Sequence, residues 1–289
     1  MRRPLLAYAA IAVPVARHRR RIGLPRPLGT ALAASVPVAV AGALPRGRGR
    51  AAAVWAAQMW AYKVSFEVPY DKPEKLRRRL RVEEPARLDT RLGGGVAPPV
   101  ALQRRFRDPD RVNRLDRAVA LLYFCWEAEP HAAMAWILAR HPERFTRAAL
   151  RLGATFDLTL LGYWLAPTAP PWRASEKAGL LDGEVRRVPT RVIRDLRGEP
   201  LGQDDEEGAN PWAAFPSDHF ASALMTAVNL WKADRRAGIA GGAYAVALGA
   251  ALVYLGEHYV GDLAGGLGLV LAVLAAEPAV AAAMRRYWP

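Results

Sequence analysis

GIAGGAYAVALGAALVYLG, residues 238–256, is a run of small and aliphatic residues without a charge, and it leads straight into Glu257-His258-Tyr259-Val260-Gly261-Asp262. As a helix rising 1.5 Å per residue the run is about 28 Å long, enough to cross the hydrocarbon core of a bilayer. The core helix of a soluble domain rarely dispenses with charge over such a length. Six further apolar segments accompany it, at 27–45, 51–69, 118–139, 148–166, 213–231 and 263–284. Arg-dense stretches at 17–21, 46–50 and 72–81 separate some of them. The mean hydropathy of −0.01 therefore averages two populations. The pattern places the chain in the membrane class.

The 289 residues carry 41 Lys and Arg against 27 Asp and Glu, a formal charge of +14. Nucleic-acid binding would gather that charge on one soluble module. Here the basic clusters abut apolar runs, so membrane-flanking charge and anionic phospholipid headgroups account for them, and no nucleic-acid partner is expected. Cys125 is the only cysteine, which excludes an internal disulfide and a cysteine metal cluster. Arg2-Arg3 followed by apolar residues from Pro4 to Ala16 resembles the first two regions of a signal peptide. The run is short for a span and its cleavage pattern is poor, so an anchor or interfacial helix ending at Arg17–Arg21 is the preferred reading.

Pro45-Arg46-Gly47-Arg48-Gly49-Arg50 makes a tight basic turn between the first two apolar segments. Residues 70–117 are polar and proline-broken, with an Arg/Glu pattern near 74–87 suited to a helix at the interface. A second polar stretch, 167–212, ends near the acidic run Asp204–Glu207. The short loops Arg140–Arg147 and Lys232–Arg236, with Arg285-Arg286, read as cytoplasmic. The loop 167–212 then faces outside. Alternation also puts the Arg-rich 70–117 outside, against the charge rule, which long polar segments obey poorly. On this topology Ala166-Pro167, Phe215–His219 and Gly256–Asp262 meet at one membrane face.

Those three stretches hold the unusual chemistry. Phe215-Pro216-Ser217-Asp218-His219-Phe220 begins an apolar helix, with Pro216 suited to a first turn and Ser217 to a cap. A helix start presents free N–H groups and a positive dipole end, which attract phosphate, and His219 lies one turn inside it. The plain structural alternative is a capped helix with an interfacial histidine. His258 and Asp262, four apart, would share a helix face. A carboxylate on one ring nitrogen fixes the tautomer and leaves the other nitrogen free to attack. A snorkelling interfacial pair is the alternative there. In Ala166-Pro167-Thr168-Ala169-Pro170-Pro171-Trp172-Arg173 the prolines end a helix, and Trp172 reads either as part of a motif or as a headgroup-level anchor.

In this order the three stretches resemble the type-2 phosphatidic acid phosphatase superfamily of membrane lipid phosphatases and phosphotransferases. That family's pattern has a basic/Pro motif, Pro-Ser-Gly-His, then Ser-Arg, a gap, His, three residues and Asp. The matches are Pro216-Ser217-Asp218-His219 and His258 through Asp262. Within the family the chain looks most like the inositol phosphorylceramide synthase (aureobasidin-resistance) branch. The motif Ala169–Trp172 and the pattern Tyr254-Leu255, His258-Tyr259, Asp262-Leu263 and Gly265-Gly266 carry that likeness. It covers about residues 118–275.

The resemblance implies an all-α fold, a polytopic transmembrane helical bundle with a six-helix phosphatase-type core and interfacial helices. Residues 1–117 would form an N-terminal membrane hairpin with interfacial helices, and 118–289 the catalytic membrane domain. It implies that His258 attacks phosphorus to form a phosphohistidine, that Asp262 orients it, and that His219 serves the leaving and entering oxygens. Ser217 and neighbouring N–H groups would hold phosphate oxygens. No metal and no cofactor is expected. The substrate would be a lipid phosphate, lipid diphosphate or phospholipid at the outer leaflet of the plasma membrane, with water or an alcohol such as inositol as acceptor. A catalytically inactive scaffold or lipid-binding protein is the alternative. Departures motivate it: the pattern's glycine is Asp218, beside the anion site, the arginine six residues before the nucleophile is Leu252, and no Lys-Pro precedes Pro170. Arg173 first and Lys177 second are nominated to offset the phosphate charge.

Other polar residues have less defined roles. His131 with Glu127, Glu129 and Pro130, and Asp157 alone, interrupt apolar segments where polar groups are costly. They read equally as cavity lining or as solvated polar groups. His18 and His141 sit in basic clusters. Gly261 and Gly265 form a small-residue pair suited to close helix packing.

Overall fold

A computed structural model of the chain describes residues 2–201 and 212–287, so the acidic run Asp204–Glu207 lies outside the described residues. Fourteen α-helices fill it: α1 (Arg2–Arg17), α2 (Arg26–Ala43), α3 (Arg48–Phe66), α4 (Pro73–Arg77), α5 (Glu83–Leu92), α6 (Pro98–Phe106), α7 (Arg114–Cys125), α8 (Glu129–Arg140), α9 (Pro142–Leu165), α10 (Pro171–Ala178), α11 (Val188–Arg197), α12 (Asp218–Ala233), α13 (Arg235–Tyr254) and α14 (Val260–Tyr287). The all-α expectation holds among the described residues. Extended pairing is confined there to isolated bridges from Thr168 to Arg81 and to Ala213.

The apolar segments became helices, with informative exceptions. Residues 118–139 are split into α7 and α8, because Pro130 starts a new helix after a turn at Trp126–Ala128. By length and composition α13 and residues Val260–Val280 of α14 can cross a membrane. The others fall short of that test: α12 has only 16 residues, and the first half of α9 carries Glu143, Arg144, Arg147 and Arg151. The apolar outer faces of α2, α13 and α14 leave Val38 72%, Val246 71% and Leu271 56% exposed.

The main core joins α8, α9, α12 and α14 through Met134, Ile137, Leu152, Phe156, Met225 and Val270, with Trp55 and Met59 of α3 packed against it. Each such fully buried side chain contributes about 1.5–3 kcal/mol. A second cluster joins α7, α11 and α13 around Val188, Ala251 and Leu255. α1, α2 and α3 form an N-terminal bundle of small residues, Ala9, Ala12, Val36 and Ala39, where helices approach closely.

The molecule has two chemically distinct ends. At one, Arg46 and Arg50 of the basic turn and Thr146 of α9 line a single cleft of about 660 Å³, and Arg144 donates to the Lys232 carbonyl. The basic loops read as cytoplasmic thus share one end. At the other, buried Arg19 holds Asp71 with two hydrogen bonds of 3.0 Å, and Arg26 donates to Pro69 O at 3.3 Å. This second end contains the candidate site.

Candidate active site

Three chain segments are stitched together at that end by backbone hydrogen bonds. Thr168 N donates to Trp212 O and Ala214 N to Thr168 O, both at 3.2 Å, while Ala169 N donates to Arg81 O at 2.9 Å. Trp172 N donates to Gly256 O at 3.1 Å, and Ser217 N to Asp262 O at 3.0 Å. The convergence read from the topology is present.

Each histidine has a local reason for its place. α12 begins after the cis Phe215–Pro216 bond, and Ser217 caps it by accepting the Phe220 N–H at 3.3 Å. His219 therefore sits in the first turn, between the rings of Tyr123 at 5.2 Å and Trp126 at 4.2 Å. Trp126 is itself fixed by donating its indole N–H to Ser222 Oγ at 2.8 Å. At the end of α13, Gly256 adopts φ 76°, and a Cβ there would stand 2.8 Å from Arg186 O. Only glycine fits this turn without strain, and the turn aims His258 inward.

The two histidines touch. His219 Nδ1 lies 3.1 Å from His258 Nε2, and His258 Nδ1 lies 3.4 Å from Asp262 Oδ2. The helix-face account of His258 and Asp262 needs correction: His258 lies in the turn before α14, not on a helix. Asp262 meets it by reaching back from the first turn of α14, where Oδ2 also accepts the Tyr259 N–H at 2.8 Å. The N-terminal N–H groups of a helix supply that anchor. With its proton on Nδ1 toward Asp262, His258 leaves an unprotonated Nε2 facing His219.

Asp218, where the family pattern has glycine, is buried and lines the cavity. It accepts from the Tyr62 hydroxyl and from Thr159 Oγ1, the latter at 3.0 Å, and its backbone N–H donates to Tyr163 Oη at 3.2 Å. Its carboxylate is thus met by donors from α3 and α9. Ser217 is fully buried, and its hydroxyl serves the helix cap.

A cavity of about 480 Å³ opens onto His219, His258 and Asp218, and its walls include Tyr62, Lys63, Tyr123, Glu127, His131 and Arg187. Neither Arg173 nor Lys177 is among the residues lining it. Arg173 lies 4.7 Å from the Trp212 ring, and Lys177 is exposed at the end of α10. The cation at the histidines is Arg187, which donates from Nε to Glu257 Oε1 at 2.7 Å and stands 5.5 Å from the Trp172 ring. Trp172 is fully buried, so the headgroup-anchor reading is excluded. Leu252 is also fully buried, in the apolar core beside α12. Glu127 and His131 line the cavity, whereas Asp157 pairs with Gln58 at 2.9 Å in the cleft at the other end. Gly265 packs on Phe215 so closely that a Cβ would stand 2.4 Å from its ring, as the small-residue reading requires.

Sequence reasoning missed several participants. Lys63 did carry a signal, an ionisable group within an apolar segment. Arg187 carried none within a polar stretch. Asp89 of α5, fully buried, accepts the Gly261 N–H at 3.2 Å at the start of α14, and burial pushes its carboxyl up to about 6. Among the described residues no three His, Cys, Asp or Glu side chains are grouped as metal ligands.

A buried Asp–His–His chain opening on a cavity fits the family that the motifs resembled, and the model of the PAP2 superfamily matches residues 87–276. The chain belongs to the PAP2 superfamily. No curated protein and no solved structure matches it. Membership points to phosphatase or phosphotransfer chemistry. The matched span contains His219, His258, Asp262 and Arg187, and leaves out α1, α2 and α3.

Proposed function

We propose that the protein is an integral membrane enzyme that transfers a phosphoryl group from a lipid-borne phosphate, diphosphate or phosphodiester through a phosphohistidine on His258. The observation carrying this reading is the hydrogen-bonded chain Asp262–His258–His219 at the cavity. In the first step the His258 Nε2 lone pair forms a bond to phosphorus as the bond from phosphorus to the leaving oxygen breaks. His219, inserted on the far side of the phosphoryl group once substrate parts the two rings, gives its proton to that oxygen. Asp262 stabilises the cation that develops on His258. In the second step His219 takes a proton from water or an alcohol, whose oxygen bonds to phosphorus and releases His258.

Arg187 offsets the phosphoryl charge in place of the arginine the pattern expects at Leu252, and it is preferred to Arg173 and Lys177 because it lines the cavity. Ser217 supports the site through the start of α12. Two helices able to span, the apolar outer faces of α2 and α13, and basic loops gathered at the opposite end support a polytopic bundle in the plasma membrane with the site outward. A six-helix core, a metal-free reaction and kinship with the inositol phosphorylceramide synthase branch are parts of the same proposal. The last rests on the motifs at Ala169–Trp172 and Tyr254–Gly266.

Purified full-length protein is assayed on phosphatidic acid, a polyprenyl diphosphate and phosphatidylinositol, beside His258→Ala. Turnover of at least one lipid, abolished in the variant, is the expected result. Background turnover on all of them would favour a scaffold that keeps the fold without the chemistry.

A further inference from the structure

The helix α3 lies outside the span that matches the family, yet one of its faces forms a wall of the cavity. Met59, Tyr62, Lys63 and Phe66 all line it, at spacings of three and four that put them on one side of the helix. Tyr62 bonds the Asp218 carboxylate, the neighbour in sequence of His219. The wall is therefore held to the reacting centre by a side-chain hydrogen bond, and Lys63 is the next residue along it.

Lys63 is a different kind of cation from Arg187. Arg187 is buried in an ion pair with Glu257, with side chains 10% and 9% exposed, so much of its charge is already balanced. Lys63 is exposed to the cavity, and its Nζ lies 5.7 Å from the Phe66 ring centre. Among the described residues it forms no ion pair, although Glu127 lines the same cavity. An ionisable residue on an otherwise apolar helix is costly unless it meets a charge.

We propose that Lys63 binds a second anionic group of the substrate, beside the phosphoryl group that is transferred, and so selects substrates carrying two adjacent anions. The inference rests on the phosphoryl-transfer reading only for which phosphorus is attacked. A single phosphoryl group held at the histidines by Arg187 leaves Lys63, which comes from another element, for a different anion. Lys63 would then set affinity and selectivity rather than the chemical step.

The test uses full-length protein in detergent with His258→Asn, which prevents turnover, titrated calorimetrically with inorganic pyrophosphate and with orthophosphate. Pyrophosphate should bind more tightly by about tenfold, and Lys63→Ala should reduce that ratio to about two or less, while Lys63→Arg keeps it. Because Lys63 is exposed, its removal leaves folding intact, and a thermal melt confirms this. An unchanged ratio in Lys63→Ala, equal weakening of both anions, or no preference in the parent protein would each overturn the proposal. Absence of lipid turnover by the protein with His258 intact would retire the enzymatic reading instead, and leaves the binding ratio to decide this one.

Discussion

The Tyr62 hydroxyl donates to the Asp218 carboxylate, joining a helix outside the family span to the first residue of the helix that carries His219. Asp218 departs from the family pattern, and its neighbours give the departure a physical reason: Tyr62 and Thr159 supply donors that a glycine could not use. A hydrogen bond to a charged group contributes about 1.5–3 kcal/mol, and burying a carboxylate without its donors costs more. Tyr62→Phe and Asp218→Gly should therefore be coupled. Singly, each lowers the melting temperature and slows turnover; together, they lower stability by less than the sum, with an interaction of about 1–3 kcal/mol. A double-mutant cycle from denaturant melts measures it. Strict additivity would mean that the hairpin merely leans on the catalytic helix.

The sequence was most legible where chemistry coincides with a helix terminus. Ser217 reads as a cap from its type alone, and His219 follows one residue past the first helical position. His258 and Asp262 read as partners from their spacing, although the contact is made by a reach from the first turn of α14 and not by a shared helix face. The break at Pro130 was audible in the proline, yet the segment read as one span because its hydropathy is continuous. What spacing could not disclose is tertiary placement. Tyr62, Asp89 and Arg187 come from three elements distant in sequence, and nothing local distinguishes Arg187 from Arg186 or Arg173. Lys63 was marked only by being charged in an apolar run.

Asp262→Asn separates orientation from fold. The asparagine oxygen can still accept the Tyr259 N–H, so the first turn of α14 keeps its anchor. Its amide cannot accept a proton from His258 Nδ1, and the ring then prefers the tautomer with the proton on Nε2, which blocks the nucleophile. Turnover should fall by about 10²–10⁴, as when the orienting aspartate of a serine-protease triad is replaced by asparagine, with little change in melting temperature. Turnover within a few-fold of the parent would show that Asp262 serves only the backbone.

Arg187 and Glu257 test charge balance at the cavity. Arg187→Ala leaves Glu257 buried and unpaired, a loss of about 3–5 kcal/mol. Removing both charges in Arg187→Met with Glu257→Gln should restore most of the stability, because a buried ion pair contributes little beyond its apolar replacement. Turnover should stay low in the double variant, since the cation facing the phosphoryl group is still missing. Recovery of activity along with stability would reduce Arg187 to a structural residue. Arg173→Ala, away from the cavity lining, should change turnover by no more than about threefold if Arg187 is the cation in use.

Asp89 links stability to pH. Its carboxyl is raised from 3.8 to about 6 by burial, against the opposing effect of the N–H groups of Val260 and Gly261. A raised acid means that the folded state disfavours the ionised form. Below the unfolded value both states are protonated and no penalty exists. As pH rises from about 4 to about 6 the unfolded chain ionises first, and the folded state loses about 2–3 kcal/mol, a loss that persists above that window. Asp89→Asn keeps an oxygen for the Gly261 N–H and has no charge to bury. It should melt higher than the parent protein at pH 7.5, and the gap should close by pH 4. Melting curves of the two proteins in one detergent across that range provide the check. A gap that is constant with pH would mean that Asp89 is ionised in the folded protein at every pH examined, stabilised by the start of α14 more than burial opposes it.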